Sequence, residues 1–329
     1  MAASARAGRP LVVITDERHG SIAEEEAVFG PLGAELRVAA CRSERDVAEA
    51  CAEADAVLLN MAPMGAAAIA ALKRCRVISR YGVGLDNVDL DAAAARGIAV
   101  RAVPGYCDHE VAEHALALLL ALSRGIPERD AAVRNGGWNL DRPQRSLRGS
   151  TLGTLGFGGS GRAFARKALA LEPARVLVWS PRIDRTRVEA ALGTAATAFG
   201  VEARAATLEE LLAESDAVSI HLKLCDQTRG FMDAARLGLM KRGAFLINCA
   251  RGALVDEAAL AAALSDGRLG GAGLDVFAVE PPAGGPLLSR TDVVLSDHSA
   301  YRSDRSLSEL KRRCAMNAAE ALGLGEGDA

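Results

Sequence analysis

Four absences narrow the function of this chain before any motif is read. There is no C-x-x-C pair: the seven cysteines, Cys41, Cys51, Cys75, Cys107, Cys225, Cys249 and Cys314, are scattered and odd in number. That pattern argues against a disulfide framework and a zinc site and suits a reducing compartment, so a cytoplasmic protein without a metal site is expected. There is no apolar run long enough to span a bilayer; the longest, over 111–122, is interrupted by Glu113 and His114. The opening MAASARAGRP has no apolar core and reads as a disordered tail, not a signal peptide. There is no excess of positive charge: 39 basic against 42 acidic residues leave −3, which argues against nucleic acid as a partner.

What is present is a globular profile, half hydrophobic and a quarter charged, over 329 residues. That length has room for two domains with a core each. The stretch that organises the chain is TLGTLGFGGSGR, over 151–162. A short apolar run leads into Gly156, Gly158 and Gly161, and a helix-forming run follows over 162–171. G-x-G-x-x-G between a strand and a helix is the context a dinucleotide fingerprint requires. Gly156 can make the tight turn, Gly158 lets a pyrophosphate approach the backbone, and Gly161 lets helix and strand pack closely. The phosphates then sit at a helix N-terminus, where unpaired N–H groups and the dipole favour an anion.

Short apolar runs alternate with helical segments on both sides of this stretch. Strands are expected over 11–15, 35–39, 56–59, 76–79 and 98–101, with helices over 21–29, 65–72 and 90–96. This is the pattern of a small doubly wound parallel α/β domain. A long apolar helix over 111–124 follows, and its His109 and His114 read as a helix-start polar residue and a packed histidine. Beyond a polar, glycine-rich loop over 136–150, strands over 151–155, 175–179, 217–221, 244–248, 271–276 and 293–295 make a six-stranded Rossmann domain. A last helix over 306–322 returns to the first domain.

The end of the 175–179 strand bears on the cofactor. An NAD site usually carries an acid there to hold the ribose 2′-OH. Here the chain reads Trp179-Ser180-Pro181-Arg182, and Asp184 falls beyond the strand. Ser180 and Arg182 suit a 2′-phosphate, so NADP(H) is the expected cofactor, with NAD(H) the alternative if Arg182 is a solvated charge.

Three residues at successive strand ends can do chemistry. Arg251 follows AFLINCA, Glu280 follows GLDVFAV, and His298 follows VVLSD. Reduction of a ketone by hydride needs a proton donor for the developing alkoxide, and a histidine supplies it. A carboxylate beside that histidine fixes its tautomer, and an arginine holds a substrate carboxylate as a bidentate pair.

These pieces, in order, resemble the D-isomer-specific 2-hydroxyacid dehydrogenase family over essentially the whole chain. The resemblance rests on 81–89 (YGVGLDNVD), Gly156 to Gly161, 248–257 (NCARGALVDE), 273–277 (GLDVF), Glu280-Pro281-Pro282 and His298. It implies two doubly wound parallel-sheet domains with a cleft between them. One is a flavodoxin-like substrate domain, residues 1–102 plus 297–329; the other is a Rossmann domain, 103–296. It implies that Arg251 binds the substrate carboxylate and that Glu280 with His298 forms the acid/base pair. Tyr81, Val83 and Gly84 would cradle the substrate, with Tyr301 and Arg302 near it. The cofactor contacts implied are Gly156, Gly158, Gly159, Ser160, Gly161, Arg162, Ser180, Pro181, Arg182, His221, Lys223, Cys249 and Ala250, with Asp275 on the nicotinamide carboxamide. A homodimer would be usual.

GYCDHEVAEHALALLLAL and HSAYRSDRSLSEL are similar to the branch that includes the C-terminal-binding-protein co-repressors. Two positions depart from the usual pattern. Lys223 stands where the family has proline after His221, and is either a solvated lysine or an aid to a 2′-phosphate. Arg302 replaces the branch's tyrosine after Tyr301, and is either a surface charge or a selector of a second anionic group on the substrate. The function expected is hydride transfer between a nicotinamide cofactor and a 2-oxo acid/(R)-2-hydroxy acid pair. The alternative is a catalytically weak dinucleotide-sensing binding module of the co-repressor type.

Overall fold

A computed structural model describes residues 8–141 and 143–324. The N-terminal stretch read as a tail lies, up to residue 7, outside the described residues. The chain divides into two compact units: one up to Tyr106 together with the residues from Ser303 onward, the other Cys107–Arg302. The divisions fall a few residues later than the resemblance implies, so His298, Tyr301 and Arg302 belong to the second unit.

The first unit is a five-stranded sheet of β1 (Leu11–Ile14), β2 (Glu35–Val38), β3 (Ala56–Leu59), β4 (Val77–Arg80) and β5 (Ala99–Arg101). Its order is β2-β1-β3-β4-β5, parallel throughout, which is the flavodoxin-like order. The central strands β1 and β3 are buried at every position because helices cover both faces. The C-terminal helix Asp304–Ala321 packs on this unit: Ser79 donates to the Cys314 carbonyl at 2.8 Å and Asn317 to the Ala102 carbonyl at 3.1 Å.

The second unit is a seven-stranded parallel sheet. Its strands are β6 (Thr151–Leu155), β7 (Arg175–Trp179), β8 (Glu202–Ala205), β9 (Ala217–Ile220), β10 (Ala244–Asn248), β11 (Leu269–Leu274) and β12 (Val293–Leu295). The order β12-β11-β10-β9-β6-β7-β8 reverses between β6 and β9, the switch point where such sheets bind ligands. It has one strand more than the sequence suggests. The extra strand, β8, is an edge strand with a partly exposed sequence, EARA, that alternates charged residues with alanine and so lacks an apolar signature. β11 starts and ends two residues earlier than expected, which places Asp275 and Val276 beyond its carboxyl end. Helices Glu44–Cys51, Ile126–Arg134 and Arg185–Phe199 also escape the sequence pattern.

One buried charge group ties the C-terminal helix to the first unit. Lys311, with 5% of its side chain exposed, donates to the Ser21 carbonyl and to Glu24 at 2.5 Å each and lies 3.5 Å from Glu25. Glu25 is 1% exposed, and burial pushes its carboxyl above the usual range against the opposing hydrogen bond from Tyr81 and the Lys311 charge. Removing one partner of such a group leaves a buried charge uncompensated, at about 3–5 kcal/mol. K311M should therefore lower unfolding stability by about 3 kcal/mol or more in urea titration, and K311M/E25Q should recover part of it. Equal stability of K311M and the parent would show that the buried cation contributes nothing.

Candidate active site

The glycines after β6 shape a phosphate cradle. Gly156 has φ 97°, and a Cβ there would lie 2.4 Å from the His221 carbonyl oxygen. A Cβ on Gly161 would lie 2.1 Å from the Gly156 carbonyl oxygen, so the helix Gly159–Ala168 can approach β6 only without a side chain. Gly158 caps that helix and has nothing within 4 Å of a built Cβ. The open approach lies where an anion meets a helix N-terminus. Ser160 and Arg162 stand in the first turn, Arg162 exposed. Asp108, the first residue of the helix Asp108–Arg124, brings its carboxylate against Gly159.

At the end of β7 the chain turns at once, the Ile183 N–H donating to the Ser180 carbonyl at 3.0 Å. Pro181 and Arg182 are exposed. Asp184 is committed elsewhere: it caps the helix Arg185–Phe199 by accepting from the Arg187 N–H at 2.8 Å. Arg187, which the sequence pattern does not single out, reaches back to the Arg182 carbonyl at 3.3 Å and adds a second guanidinium to this turn. Lys223 is exposed, and its carbonyl accepts from Thr228 at 2.7 Å.

His221, after β9, points inward. Its Nε2 pairs with Ser219 Oγ at 2.9 Å, its ring packs on Phe164 at 5.1 Å, and its Nδ1 is buried without a partner. Burial pushes this imidazole down to about 3. It is a neutral wedge under the glycine turn.

The other strand ends bring the chemical groups together. After β10, Asn248 folds the turn, its side chain donating to the Arg251 carbonyl at 2.9 Å and accepting from the Ala250 N–H at 3.0 Å. Cys249 is buried beneath it, its thiol pushed well up by burial and by the Asp275 carboxylate. Arg251 donates to the Ala250 carbonyl at 2.7 Å. A Cβ on the next residue, Gly252, would lie 1.8 Å from the Phe277 carbonyl carbon, so the segment leading to Glu280 crosses directly over it. This close approach sets the Arg251 turn beside the Glu280 turn.

Glu280 accepts from the Phe277 N–H at 3.0 Å through one oxygen and pairs with His298 Nδ1 at 2.6 Å through the other. Burial alone would raise its carboxyl, but the His298 hydrogen bond, the Phe277 N–H and the charges of His298 and Arg251 together hold it below the usual range. An ionised acceptor at Nδ1 places the proton there and leaves Nε2 as the ring's other nitrogen, clear of the Glu280 pair. His298 itself has φ 54°, in the left-handed region rarely adopted by non-glycine residues. Tyr301 stands edge-on to its ring at 6.2 Å. Arg302 is exposed, and its charge acts on Asp297, whose carboxyl is held low first by the Ser299 hydrogen bond and then by its own N–H and Arg302. The Asp275 carboxylate is fully buried and accepts from Ser296, Ser299 and Ala300.

In the first unit, the turn after β4 exposes Val83 (51%), with Gly84 partly covered. Gly82 has φ 144° and lies under the Arg80 guanidinium. Tyr81 is turned inward, its hydroxyl donating to Glu25 at 2.7 Å. At the same sheet edge, and missed by motif reading, Asp16 accepts from Arg18 and the Met61 N–H at 3.0 Å each. Among the described residues no cluster of three or more His, Cys, Asp or Glu could hold a metal, and no helix is long and apolar enough to cross a membrane.

A seven-stranded Rossmann sheet with a glycine cradle and an Arg–Glu–His set at its carboxyl edge defines a dinucleotide-linked class of α/β protein. Residues 116–300 match the family model for the D-isomer specific 2-hydroxyacid dehydrogenase, NAD binding domain. D-3-phosphoglycerate dehydrogenase of Mycobacterium tuberculosis (strain ATCC 25618 / H37Rv) is 39% identical over 274 residues, 83% of this chain and 49% of that protein. Glycerate dehydrogenase of Methylorubrum extorquens is 35% identical over 284 residues, 83% of this chain and 84% of that protein. Among solved structures, a glyoxylate reductase from Paecilomyes thermophila superposes with a TM-score of 0.85 at 28% identity, over 98% of this chain and 97% of that one. The chain belongs to the D-isomer specific 2-hydroxyacid dehydrogenase family. It spans about half the length of the phosphoglycerate dehydrogenases it matches.

The neutral His221 makes stability depend on pH. The unfolded chain takes up a proton near 6.5, whereas the native ring refuses it until about 3. Between those values the unfolded state binds more protons, so this contribution is intact above about pH 6.5 and is lost as pH falls. Urea midpoints at pH 7, 5 and 4 should fall less steeply for H221L than for the parent; parallel slopes would mean the ring is not held neutral.

Proposed function

We propose that this chain catalyses NAD(P)-dependent hydride transfer between a 2-oxo acid and its (R)-2-hydroxy acid. The observation that carries the reading is the 2.6 Å Glu280–His298 pair, with the Arg251 charge acting on it, at the carboxyl edge of the sheet that holds the glycine cradle. Arg251 grips the substrate carboxylate. His298, through Nε2, gives the proton to the carbonyl oxygen during reduction and takes it back in the reverse direction. Glu280 keeps Nδ1 protonated and steadies the charge that His298 carries while it holds that proton. Gly156, Gly158, Gly161 and the helix they open would hold the dinucleotide, which supplies the hydride when bound. Glycerate dehydrogenase and glyoxylate reductase among the relatives support this substrate class. The intact Arg251, Glu280 and His298 favour the enzyme over a co-repressor-type binding module, although such modules can keep the same residues.

The cofactor we propose is NADP(H). Asp184, the nearest acid after β7, is spent as a helix cap, while Arg182 and Arg187 share the turn at Ser180. Arg302 shares its field with Asp297, so it attracts a second substrate anion less than an isolated guanidinium would. We also propose a homodimer through the segment after the helix Asp108–Arg124. Ile126, Val133 and Trp138 are 56%, 55% and 80% exposed there, an apolar group suited to a partner copy.

Two outcomes are expected. Purified protein should oxidise NADPH faster than NADH with one or more of glyoxylate, hydroxypyruvate, phenylpyruvate, oxaloacetate and phosphonopyruvate. R251K should then raise the substrate KM about tenfold or more while cofactor affinity holds, since lysine cannot make the bidentate pair. Dinucleotide binding without turnover of any acid would favour the binding-module reading, and faster NADH use would overturn the 2′-phosphate assignment. Light scattering should give a dimer mass for the parent and a shift towards monomer for W138E; a monomeric parent would end the dimer proposal.

A further inference from the structure

The His298 turn is held from behind by a chain of hydrogen bonds that ends on a different element. Asp275 lies just past β11. Its carbonyl accepts from the His298 N–H at 2.8 Å, one carboxylate oxygen from the Ser299 N–H at 2.9 Å, and the other from the Ala300 N–H at 3.0 Å. Three consecutive residues of the turn are therefore anchored to one aspartate, and the first of them is the histidine with φ 54°. That carboxylate is 0% exposed, so protein donors must replace the water it has lost. Its remaining donor is the Ser296 hydroxyl, at 2.7 Å.

A serine hydroxyl has one proton. Ser296 gives it to Asp275, so its oxygen must accept from the group on its other side, His114 Nε2, at 2.8 Å. The same nitrogen lies 3.4 Å from the nearer Asp275 oxygen. Nε2 of His114 thus carries a hydrogen, directed at Ser296. His114 sits in the middle of the helix Asp108–Arg124, far along the chain from the strand ends.

We infer that His114 and Ser296 are positioning residues for the His298–Glu280 pair, acting through Asp275. The left-handed backbone at His298 costs free energy that the turn's own hydrogen bonds must offset. Asp275 supplies those bonds only while its carboxylate is held in place. Ser296 and His114 fix its orientation and rigidly couple the turn to the helix. Loosening them lets His298 move relative to Glu280 without touching the glycine cradle. A misplacement of about 1 Å in such a pair can lower turnover by about a hundredfold.

This inference deepens the acid/base reading of His298 and rests on it for its kinetic arm. H114L and S296A should each lower kcat by about 10- to 100-fold, with cofactor affinity unchanged within about twofold. The double variant should be no slower than S296A alone, because both act on one path. H114Q, which returns an N–H donor near the Nε2 position, should recover most of the loss. Independently of turnover, amide exchange at Ser299 and Ala300 should quicken about tenfold in H114L and S296A and return towards the parent rate in H114Q. Parent-like exchange in H114L, or kcat losses that multiply in the double variant, would overturn the inference. A parent enzyme inert towards every 2-oxo acid sinks the acid/base reading instead, and the exchange rates still decide whether His114 braces the turn.

Discussion

The second unit is arranged around a histidine in a backbone conformation that histidine does not favour. His298 at φ 54° places its ring where Nδ1 meets Glu280 at 2.6 Å. Nothing local enforces that geometry; glycine would take it more readily, but glycine has no imidazole. The surrounding structure must over-determine it, which is the usual circumstance of strained residues at functional sites. Two supports converge. Glu280 holds the ring, and Asp275 accepts from the N–H groups of the next two residues, Ser299 and Ala300. Glu280 in turn is placed by the Phe277 N–H and by the contact of the 277–278 backbone with Gly252.

That dependence explains why the candidate residues stand out in the sequence while the groups that support them do not. Arg251, Glu280 and His298 announce themselves as polar residues at the ends of apolar strands, and polar groups there face the edge where ligands bind. Asp275 also stands at a strand end, but its side chain turns back into the protein, a direction the sequence does not encode. His114 lies on an apolar helix, where a packed histidine is the ordinary expectation. Only the position of Ser296, brought beside it by the pairing of β12 with β11, gives its nitrogen a partner. Tyr81 fails in the opposite sense: its motif suggests a ligand contact, yet its hydroxyl is spent on Glu25 inside the first unit.

The same contrast runs through the fold. β6, β9 and β10 are buried at every position and read as short, largely apolar runs. β8 is an edge strand, pairing only with β7, so none of its residues is fully buried and its sequence carries no strand signal. The helix Arg185–Phe199 is alanine-rich and nearly non-periodic, and its start is set by the Asp184 cap rather than by a hydrophobic stripe. That cap also has a functional consequence. An acid three residues past Pro181 could be mistaken for a ribose ligand, but a carboxylate accepting from the N–H of a helix's first turn is already in use.

The two histidines that follow β9 and β12 show how one side chain serves opposite ends. His221 is driven to neutrality by complete burial and serves as shape: it fills the space under the glycine turn, and its carbonyl is what forbids a side chain at Gly156. His298 is partly exposed and pairs through Nδ1 with the Glu280 carboxylate at 2.6 Å. At His221 burial removes charge and leaves geometry; at His298 an adjacent carboxylate makes an ion-pair partner of the ring. The difference does not lie in the residue type or in the strand end that carries it, since both follow parallel strands of one sheet. It lies in what stands next to the ring, Ser219 and Phe164 in one case and Glu280 in the other.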